Sequence, residues 1–277
     1  MLPLLRQLFA VLPEMLRSPW RHRALMRQMT RREVVGRYRG SLLGLLWSFI
    51  TPVLMLAVYT FVFSVVFRAK WGEHGSGDKL EFALVLFAGL IVFTLFSECL
   101  TRAPTLITSN VNYVKKVIFP LGILPWVSLG SALFHALVSV AVLLIALPFA
   151  GFAWQATMLW LPLLLLPYLL LILGLSWFLA SLGVFVRDVA PLVTMAMTVL
   201  MFLSPIFYPA SALPEEMRAW LFLNPVTFVI EQAREVLIWG RAPDFSGLAL
   251  YALVALIIAW LGYFWFEKTR KGFADVL

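Results

Sequence analysis

The chain has 277 residues, of which 62% are hydrophobic and only 13% are charged. Soluble domains carry about 25% charged residues, so this composition excludes a water-exposed surface over most of the chain. The net charge is +8 and the pI is about 9.9. Because the positive residues lie mainly beside apolar stretches, they predict contact with anionic lipid head groups rather than with nucleic acid. One cysteine, Cys99, excludes an intrachain disulfide, and the three separated histidines predict no metal site.

The basic residues before the first apolar stretch belong to a segment at 1–41. Four leucines recur there at helical spacing, at Leu5, Leu8, Leu12 and Leu16. Arg6 and Glu14 interrupt the apolar pattern, whereas a signal peptide needs an unbroken apolar core and a small-residue cleavage site. The segment is therefore predicted to form amphipathic helices that lie on the membrane surface.

Six apolar stretches follow, each long enough to cross a membrane. About 20 apolar residues span the ~30 Å hydrocarbon layer of a bilayer. The predicted spans lie at 42–67, 82–100, 121–149, 157–185, 190–209 and 247–266. The fold class predicted is therefore an all-α integral membrane protein with six transmembrane helices.

The distribution of lysine and arginine predicts the orientation of these spans. With six spans, both termini lie on the same side of the membrane. That side holds sixteen of the 22 basic residues: the nine arginines of 1–41, then Arg102, Lys115, Lys116, Arg187, Lys268, Arg270 and Lys271. Since basic loops stay on the inside, both termini are predicted to be cytoplasmic.

Two loops carry helix signals of their own. The cytoplasmic loop 101–120 has no acidic residue, and Ser109 or Asn110 is placed to cap a short helix that stops before Pro120. In the outer loop after span five, Pro214 with two glutamates and then Asn224-Pro225 begin helices at 213–223 and 225–239, and Gly240 closes the second. The second helix is too charged to span the membrane and too apolar to lie freely in water, which predicts that the two short helices form a re-entrant pair in the outer leaflet.

No internal repeat or low-complexity linker divides the chain, so 1–277 is predicted to be one membrane domain. Its parts are the cytoplasmic interface segment 1–41, spans one to five at 42–209, outer gate helices at 210–246, and span six with a cytoplasmic tail at 247–277.

The spans contain few groups that bind coupling ions or perform catalysis. Glu98 lies one turn from Arg102, which predicts a local ion pair, and His135 is predicted to form a hydrogen bond between helices. A GxxxxGK[ST] phosphate loop is missing, and no catalytic triad or paired intramembrane carboxylates occur. The chain is therefore expected to be a conduit and not an enzyme. A passive channel and one half of an ATP-driven exporter both fit, whereas a transferase would need acidic metal ligands.

Several segments then point to a family. Residues 32–47 read REVVGRYRGSLLGLLW, and Pro52 follows. Residues 110–120 contain Lys115-Lys116 and end in Phe-Pro, and 187–189 read Arg-Asp-Val. Residues 204–209 read Ser-Pro-Ile-Phe-Tyr-Pro, and 223–225 read Leu-Asn-Pro. In this order, over nearly the whole chain, they resemble segments of polysaccharide-export permeases, the membrane subunits of type-two ATP-binding-cassette exporters.

The resemblance implies a homodimer of six-span subunits in the bacterial inner membrane, docked on two copies of a nucleotide-binding ATPase that holds ATP and magnesium. It implies that a polyprenyl-pyrophosphate-linked glycan is fed outward, and the run before Trp47 is most like O-antigen exporters. Export of capsule or teichoic-acid polymer, or of a small drug or lipid, is the alternative. No cofactor is expected on this chain.

Four groups of site residues follow from this resemblance and from side-chain chemistry. Arginine forks suit paired phosphate oxygens, which predicts a head-group site at Arg32, Arg37, Tyr38 and Arg39, besides their role in topology. Aromatic faces let sugar rings slide, which predicts a tunnel lined by Trp47, Tyr59, Phe63, Phe202, Phe207 and Tyr208, unless these only mark membrane interfaces.

The other two groups lie in the loops. Residues 104–116 are predicted to couple to the ATPase through Asn110, Tyr113, Lys115 and Lys116, the alternative being an ordinary basic connection. The outer gate is predicted at Glu216, Trp220, Asn224 and Pro225, although packing alone also explains those helices.

Overall fold

The computed structural model describes residues 13–67, 71, 79–115, 119–221 and 223–277, and these residues contain no strand. The helices are α1 (13–21), α2 (Arg23–Arg37), α3 (Trp47–Tyr59), α4 (Lys79–Arg102), α5 (Val111–Lys115), α6 (Leu124–Ala146), α7 (Leu161–Phe185), α8 (Val189–Leu203), α9 (Glu215–Leu221), α10 (Thr227–Arg234), α11 (Phe245–Thr269) and α12 (Phe273–Val276). The all-α fold class is confirmed. Predictions that fall on residues 1–12, on most of the outer loop 68–81 and on Lys116 lie outside the described residues.

Five segments are long and apolar enough to cross a membrane. They are Gly44–Phe63, Leu80–Thr105, Leu121–Ala150, Ala156–Phe185 and Phe245–Val276. These segments correspond to the predicted spans one, two, three, four and six. Their ends lie within five residues of the predicted ones, except that the last segment ends ten residues later.

The predicted fifth span, 190–209, is shorter than expected. Helix α8 has 15 residues, which at 1.5 Å per residue is about 22 Å and less than the ~30 Å hydrocarbon layer. It ends because Pro205 disfavours a helical conformation at Ser204, whose ψ is 148°. The residues from Ser204 to Pro209 therefore do not extend this helix, and the structure has five long spans and one shorter apolar helix.

The helices run up and down around α4. Every residue from Glu81 to Phe93 is buried, because α3, α6, α7, α8 and α10 all pack on this helix. We call the end of the bundle that carries α2, α5 and α12 the basic end, and the end that carries α9 and α10 the far end. Both α3 and α8 run from the basic end to the far end.

Helices α7 and α11 form the most extensive pair, and small residues let their backbones touch. A Cβ placed on Gly174 would lie 2.6 Å from the Ala259 Cα, and one on Gly262 would lie 2.0 Å from the Gly174 carbonyl oxygen. Such small residues allow close van der Waals packing in a membrane, where lipid removes the hydrophobic drive for helices to associate.

The two short helices predicted after span five are present as α9 and α10. Helix α9 begins at Glu215, directly after Pro214, as the sequence indicates. Helix α10 continues as a π-helix over Glu235–Trp239 and ends at Gly240, whose φ of +66° suits glycine. Their insertion into the outer leaflet stays a prediction.

Candidate functional site

A charged cluster ties α2 to α4 at the basic end. The Arg37 guanidinium donates to the Glu98 carboxylate, and Arg102 donates to Glu33. The second terminal nitrogen of Arg102, Nη1, lies 3.7 Å from Glu98 Oε1. Glu98 therefore stands between two arginines. Its predicted local pair with Arg102 exists, but Arg37 is the closer partner.

His135 of α6 lies beside this cluster. Its Nδ1 is 2.8 Å from the Ser131 carbonyl oxygen, one turn earlier in the same helix. Since a carbonyl oxygen only accepts, Nδ1 carries the proton in this hydrogen bond. His135 therefore has a hydrogen bond within α6, and its predicted partner on another helix corresponds to Arg37 of α2, whose Nη1 lies 3.4 Å from the same nitrogen. The Tyr38 ring lies 5.9 Å from the imidazole.

A cavity of about 370 Å³ opens from this cluster into the bundle. Helices α3, α4 and α6 form its walls, and Arg37, Tyr38, Glu98 and His135 line one part of it. The rest of the lining is largely apolar and includes Phe87. We call this space the α3–α4–α6 cavity; it joins a charged region to an apolar interior within one subunit.

The four predicted head-group residues separate into two places. Arg37 and Tyr38 line the α3–α4–α6 cavity, and Arg39 is exposed next to them. Burial raises the pKa of the Tyr38 phenol, an effect that the Arg37 charge opposes, so the phenol stays protonated at neutral pH. Arg32 instead points to the loop after α4, where its Nη2 donates to the Tyr113 hydroxyl at 3.4 Å.

The predicted coupling loop consists of short helical turns at Ala103–Thr105 and Thr108–Asn110 followed by α5. We call residues 103–115 the coupling segment. Helix α5 starts directly after Asn110, as predicted. The Asn110 amide donates to the Leu106 carbonyl at 2.8 Å, and the Ser109 hydroxyl donates to the Thr105 carbonyl.

Two further predicted coupling residues, Tyr113 and Lys115, hold this segment in place. Tyr113 stacks on Phe119 with ring centroids 4.4 Å apart, and Lys115 donates to the Leu277 carbonyl. At the start of the segment, a Cβ on Gly183 of α7 would lie 2.1 Å from the Pro104 oxygen. The segment is therefore packed firmly against α7.

At the far end, aromatic rings form a continuous row. The ring centroid of Phe207 lies 5.9 Å from that of Phe202 and 6.0 Å from that of Phe63. The ring centroid of Phe82 lies 5.5 Å from that of Phe63 and 5.4 Å from that of Trp71. We call these five residues the aromatic row. It unites three of the predicted tunnel residues with two that the sequence did not single out.

The other three predicted tunnel residues lie around this row or away from it. Tyr208 is adjacent, since its hydroxyl donates to the Phe202 carbonyl at 3.2 Å. Tyr59 lines the α3–α4–α6 cavity. Trp47 begins α3 at the basic end and is exposed, so it does not contact the row.

Arg234 of α10 is a structural centre that sequence reasoning missed. Its side chain is only 1% exposed, and it donates to the carbonyl oxygens of Val85, Pro205 and Ile206 at 2.6–3.1 Å. It also pairs with Glu231 at 3.0 Å.

Two of the three carbonyl acceptors of Arg234, those of Pro205 and Ile206, lie outside the helices, and the Arg234 Cζ lies 4.4 Å from the centre of the Trp71 ring. Burial lowers the pKa of Arg234 to about 10, so it stays charged at neutral pH. The signal available in the sequence was an arginine three residues after a glutamate on an otherwise apolar helix face.

The predicted gate residues fall on two kinds of surface. Glu216 and Trp220 are exposed on α9. Asn224 is buried, where its amide donates to Ser204 at 2.8 Å and its Oδ1 accepts from the Val226 amide. The Pro225 carbonyl accepts from the Tyr251 hydroxyl at 2.8 Å. Asn224 and Pro225 thus anchor the start of α10 to the segment after α8 and to α11.

Comparison with known proteins places this geometry in context. A family model described as ABC-2 type transporter matches residues 24–238, more than half of the chain. The O-antigen export system permease protein RfbA of Myxococcus xanthus is 28% identical over 267 residues, which cover 94% of this chain and 98% of that protein.

Two further relatives are similar over most of their length. An O-antigen export system permease protein RfbA of Klebsiella pneumoniae is 24% identical, with 90% of this chain and 93% of that protein covered. The polysialic acid transport protein KpsM of Escherichia coli is 27% identical, with 82% and 87% covered.

Proposed function

Since the chain belongs to the ABC-2 type transporter family, we propose that it is the permease of an ATP-driven exporter of O-antigen polysaccharide. The cargo is a glycan on a polyprenyl pyrophosphate, moved outward across the bacterial inner membrane. The observation that carries this proposal is the match to O-antigen export permeases over nearly the full length of both chains. The described fold supports it with five spans, a shorter apolar helix and a packed loop at the basic end.

The proposed assembly is a homodimer with two ATPase subunits. ATP and magnesium bind to those subunits, and this chain performs no catalysis. The basic end faces the cytoplasm because its loops hold most of the lysine and arginine. The coupling segment is the proposed ATPase contact, since its packing against α7 lets a push from the ATPase reach the bundle.

The proposed glycan path follows exposed apolar residues on α3 and α8. Phe202 is 60% exposed and leads to the aromatic row, where ring faces stack on sugars without fixed hydrogen bonds. Trp47, Tyr59 and Tyr208 complete this path in the proposal. At the basic end, Arg32, Arg37, Tyr38 and Arg39 meet the carrier pyrophosphate, and the far-end helices α9 and α10 cover the exit.

Export of a capsule-type polymer is the second candidate, and the similarity to the polysialic acid transport protein KpsM favours it. The two functions share the fold and the ATPase, and they differ in the glycan. Teichoic-acid polymer, or a small drug or lipid, is the remaining cargo to be distinguished by experiment.

A deletion strain tests the cargo. Loss of the gene is expected to remove the O-antigen from the cell surface and to leave lipid-linked glycan inside, and the intact gene is expected to restore export. Loss of capsule with normal O-antigen would favour the second candidate. Normal display of both glycans with new drug sensitivity would contradict the proposal.

A charge reversal tests the ATPase contact. The double variant Lys115→Glu with Lys116→Glu is expected to stop co-purification of the ATPase. The control is Lys268→Glu with Lys271→Glu, which reverses two exposed charges at the same end. Equal ATPase binding by both variants would show that residues 104–116 are not the contact.

A further inference from the structure

The α3–α4–α6 cavity has the layout of a site for an amphipathic molecule. Thr94 is exposed although the helix residues on both sides of it are buried, because it faces this space. Thr51 and Met55 of α3 also line the cavity and are exposed, so it is open to the surroundings of α3. Its 370 Å³ falls within the roughly 300–1,000 Å³ range of small-molecule sites. The cavity therefore has ionic side chains at one part of its wall and mainly apolar side chains over the rest.

The ionic part contains hydrogen-bond donors that can turn to an added anion. Arg37 donates to Glu98 through Nη2. Its Nη1 lies 3.4 Å from His135 Nδ1, but that nitrogen already carries the proton given to Ser131, so two donors face each other. The protonated phenol of Tyr38 lies beside them. An added anion would give these donors an acceptor.

Glu98 can leave Arg37 without losing an ionic partner. Arg102 Nη1 is buried and has no hydrogen-bond partner among the described residues, and it lies 3.7 Å from Glu98 Oε1. A shift of about 1 Å would bring these two groups to the 2.7–2.9 Å typical of a charge-assisted hydrogen bond. An anion that binds Arg37 can therefore displace Glu98 to Arg102, with every charge still paired.

We propose that the α3–α4–α6 cavity binds the phosphate-bearing end of a membrane lipid. The phosphate accepts from Arg37 and Tyr38, Glu98 moves to Arg102, and the adjoining part of the lipid chain occupies the apolar walls. Because Ala103 follows Arg102, the exchange changes the charge balance where the coupling segment begins. Two lipids share this chemistry, an anionic phospholipid and a polyprenyl phosphate. Only the polyprenyl case rests on the proposed function.

Lipid binding to the full-length permease in detergent, followed by native mass spectrometry, tests the charge exchange. The probe is phosphatidylglycerol. Arg37→Gln is expected to weaken binding about tenfold, the equivalent of one hydrogen bond to a charged group. The matched control Arg31→Gln, an exposed arginine of α2 that does not line the cavity, is expected to change it less than about twofold. Glu98→Gln removes the competing carboxylate and is expected to tighten binding about threefold.

A second pair of variants tests the apolar part without changing charge. Thr94→Leu places a larger side chain in the cavity and is expected to weaken lipid binding about tenfold, because the leucine takes the volume that the lipid chain would occupy. Thr198→Leu makes the same change on the exposed surface of α8 and is expected to leave binding unchanged. Of the charge variants, Glu98→Gln also serves as a folding control, because a misfolded protein would not bind the lipid more tightly.

Three results would overturn the inference. Equal weakening by Arg37→Gln and Arg31→Gln would indicate general attraction to basic α2. Weakening by Glu98→Gln would indicate that the Arg37–Glu98 pair is only structural. Equal binding of diacylglycerol, which has no phosphate, or of inorganic phosphate, which has no chain, would exclude a site for both parts.

Polyprenyl phosphate, compared with phosphatidylglycerol in the same titration, identifies the preferred lipid. Preference for the polyprenyl lipid is expected if the cavity serves the proposed cargo. Preference for the phospholipid would show that the cavity binds a membrane lipid but not the carrier of the proposed cargo. Because the assay needs neither the ATPase nor a glycan, failure of the proposed cargo in the deletion strain leaves this result standing.

Discussion

The α7–α11 pair and the two helices α3 and α8 are almost equally apolar, yet they differ in how they meet their neighbours. Between α7 and α11, Gly174, Ala259 and Gly262 bring backbone atoms into contact. Helices α3 and α8, by contrast, contain no glycine, and α8 buries only Val189 and Val193. Apolar composition places both regions in lipid, and residue size decides which region closes against protein.

The difference separates a scaffold from surfaces that remain free for other molecules. Large side chains such as Phe202 keep α8 from approaching its neighbours and cost little when they face lipid. Glycine and alanine offer lipid little surface but let two helices pack along their length. A change in the first region is therefore expected to alter folding, and a change in the second is expected to alter transport.

Gly262→Leu should destabilise the protein more than any other change considered. Its side chain would enter the Gly174 carbonyl of α7, and backbone cannot move aside as a flexible side chain does. We expect the free energy of unfolding to fall by more than about 3 kcal/mol, the upper end of overpacking costs. Thermal unfolding in detergent and the yield of monodisperse protein measure it. Val254→Phe, which adds bulk to the exposed side of the same helix, is the control and should melt like the wild type.

Replacement of Arg234 should have the next largest effect. Arg234→Met removes the donor to the Pro205 and Ile206 carbonyls and the additional donor to the Val85 carbonyl of α4, and we expect a loss of about 3 kcal/mol in unfolding free energy. Arg234→Lys keeps the positive charge but has fewer hydrogen-bond donors, so its unfolding free energy should lie between those of the wild type and Arg234→Met. The control Arg241→Met removes an exposed arginine and should cost about 0.5 kcal/mol. Equal melting of both methionine variants would refute the central role of Arg234.

Gly89→Ala tests the same contact from the side of α4. A Cβ at this position would lie 2.7 Å from Arg234 Nη2, and the guanidinium is already held by three carbonyls. We expect a loss of about 1.5 kcal/mol. Gly36→Ala in α2 meets no atom within 4 Å and should instead gain about 0.5 kcal/mol from helix propensity. Chemical denaturation of both variants should show opposite signs.

Phe202→Ala should have the smallest effect on stability and should instead reduce transport. Its ring is 60% exposed, so we expect a change of less than about 1 kcal/mol in unfolding. Under the proposed function, surface glycan should nevertheless fall, because the end of the aromatic row that faces the path is lost. Normal glycan display with normal stability would remove Phe202 from the proposed path.

The sequence predicted elements with a single dominant signal. Long uncharged runs predicted the five long segments among the six expected spans. Pro214 with its glutamates predicted the start of α9, and Gly240 predicted the end of the helix before it. The fifth span was overextended because its composition stays apolar past Ser204, where Pro205 ends the helix. Local chemistry decided that boundary, and average hydropathy does not record it.

The site residues were predictable by type but not by grouping. Phe63, Phe202 and Phe207 were expected to act together and do lie together, whereas Arg32 and Arg37 were expected to share one ligand and face different neighbours. On a helix, five residues correspond to about 500° of rotation, so these two arginines point in different directions.

By itself, the sequence determined that this protein is helical, belongs in a membrane and carries its positive charge at one end, because hydropathy and charge are sums over neighbouring residues. The packing of the helices brings Arg234 to three distant carbonyls and places Glu98 between two arginines, and neither contact could be read from the sequence. Partners separated by tens of residues meet through helix packing, and packing depends on side-chain shape that no local average contains.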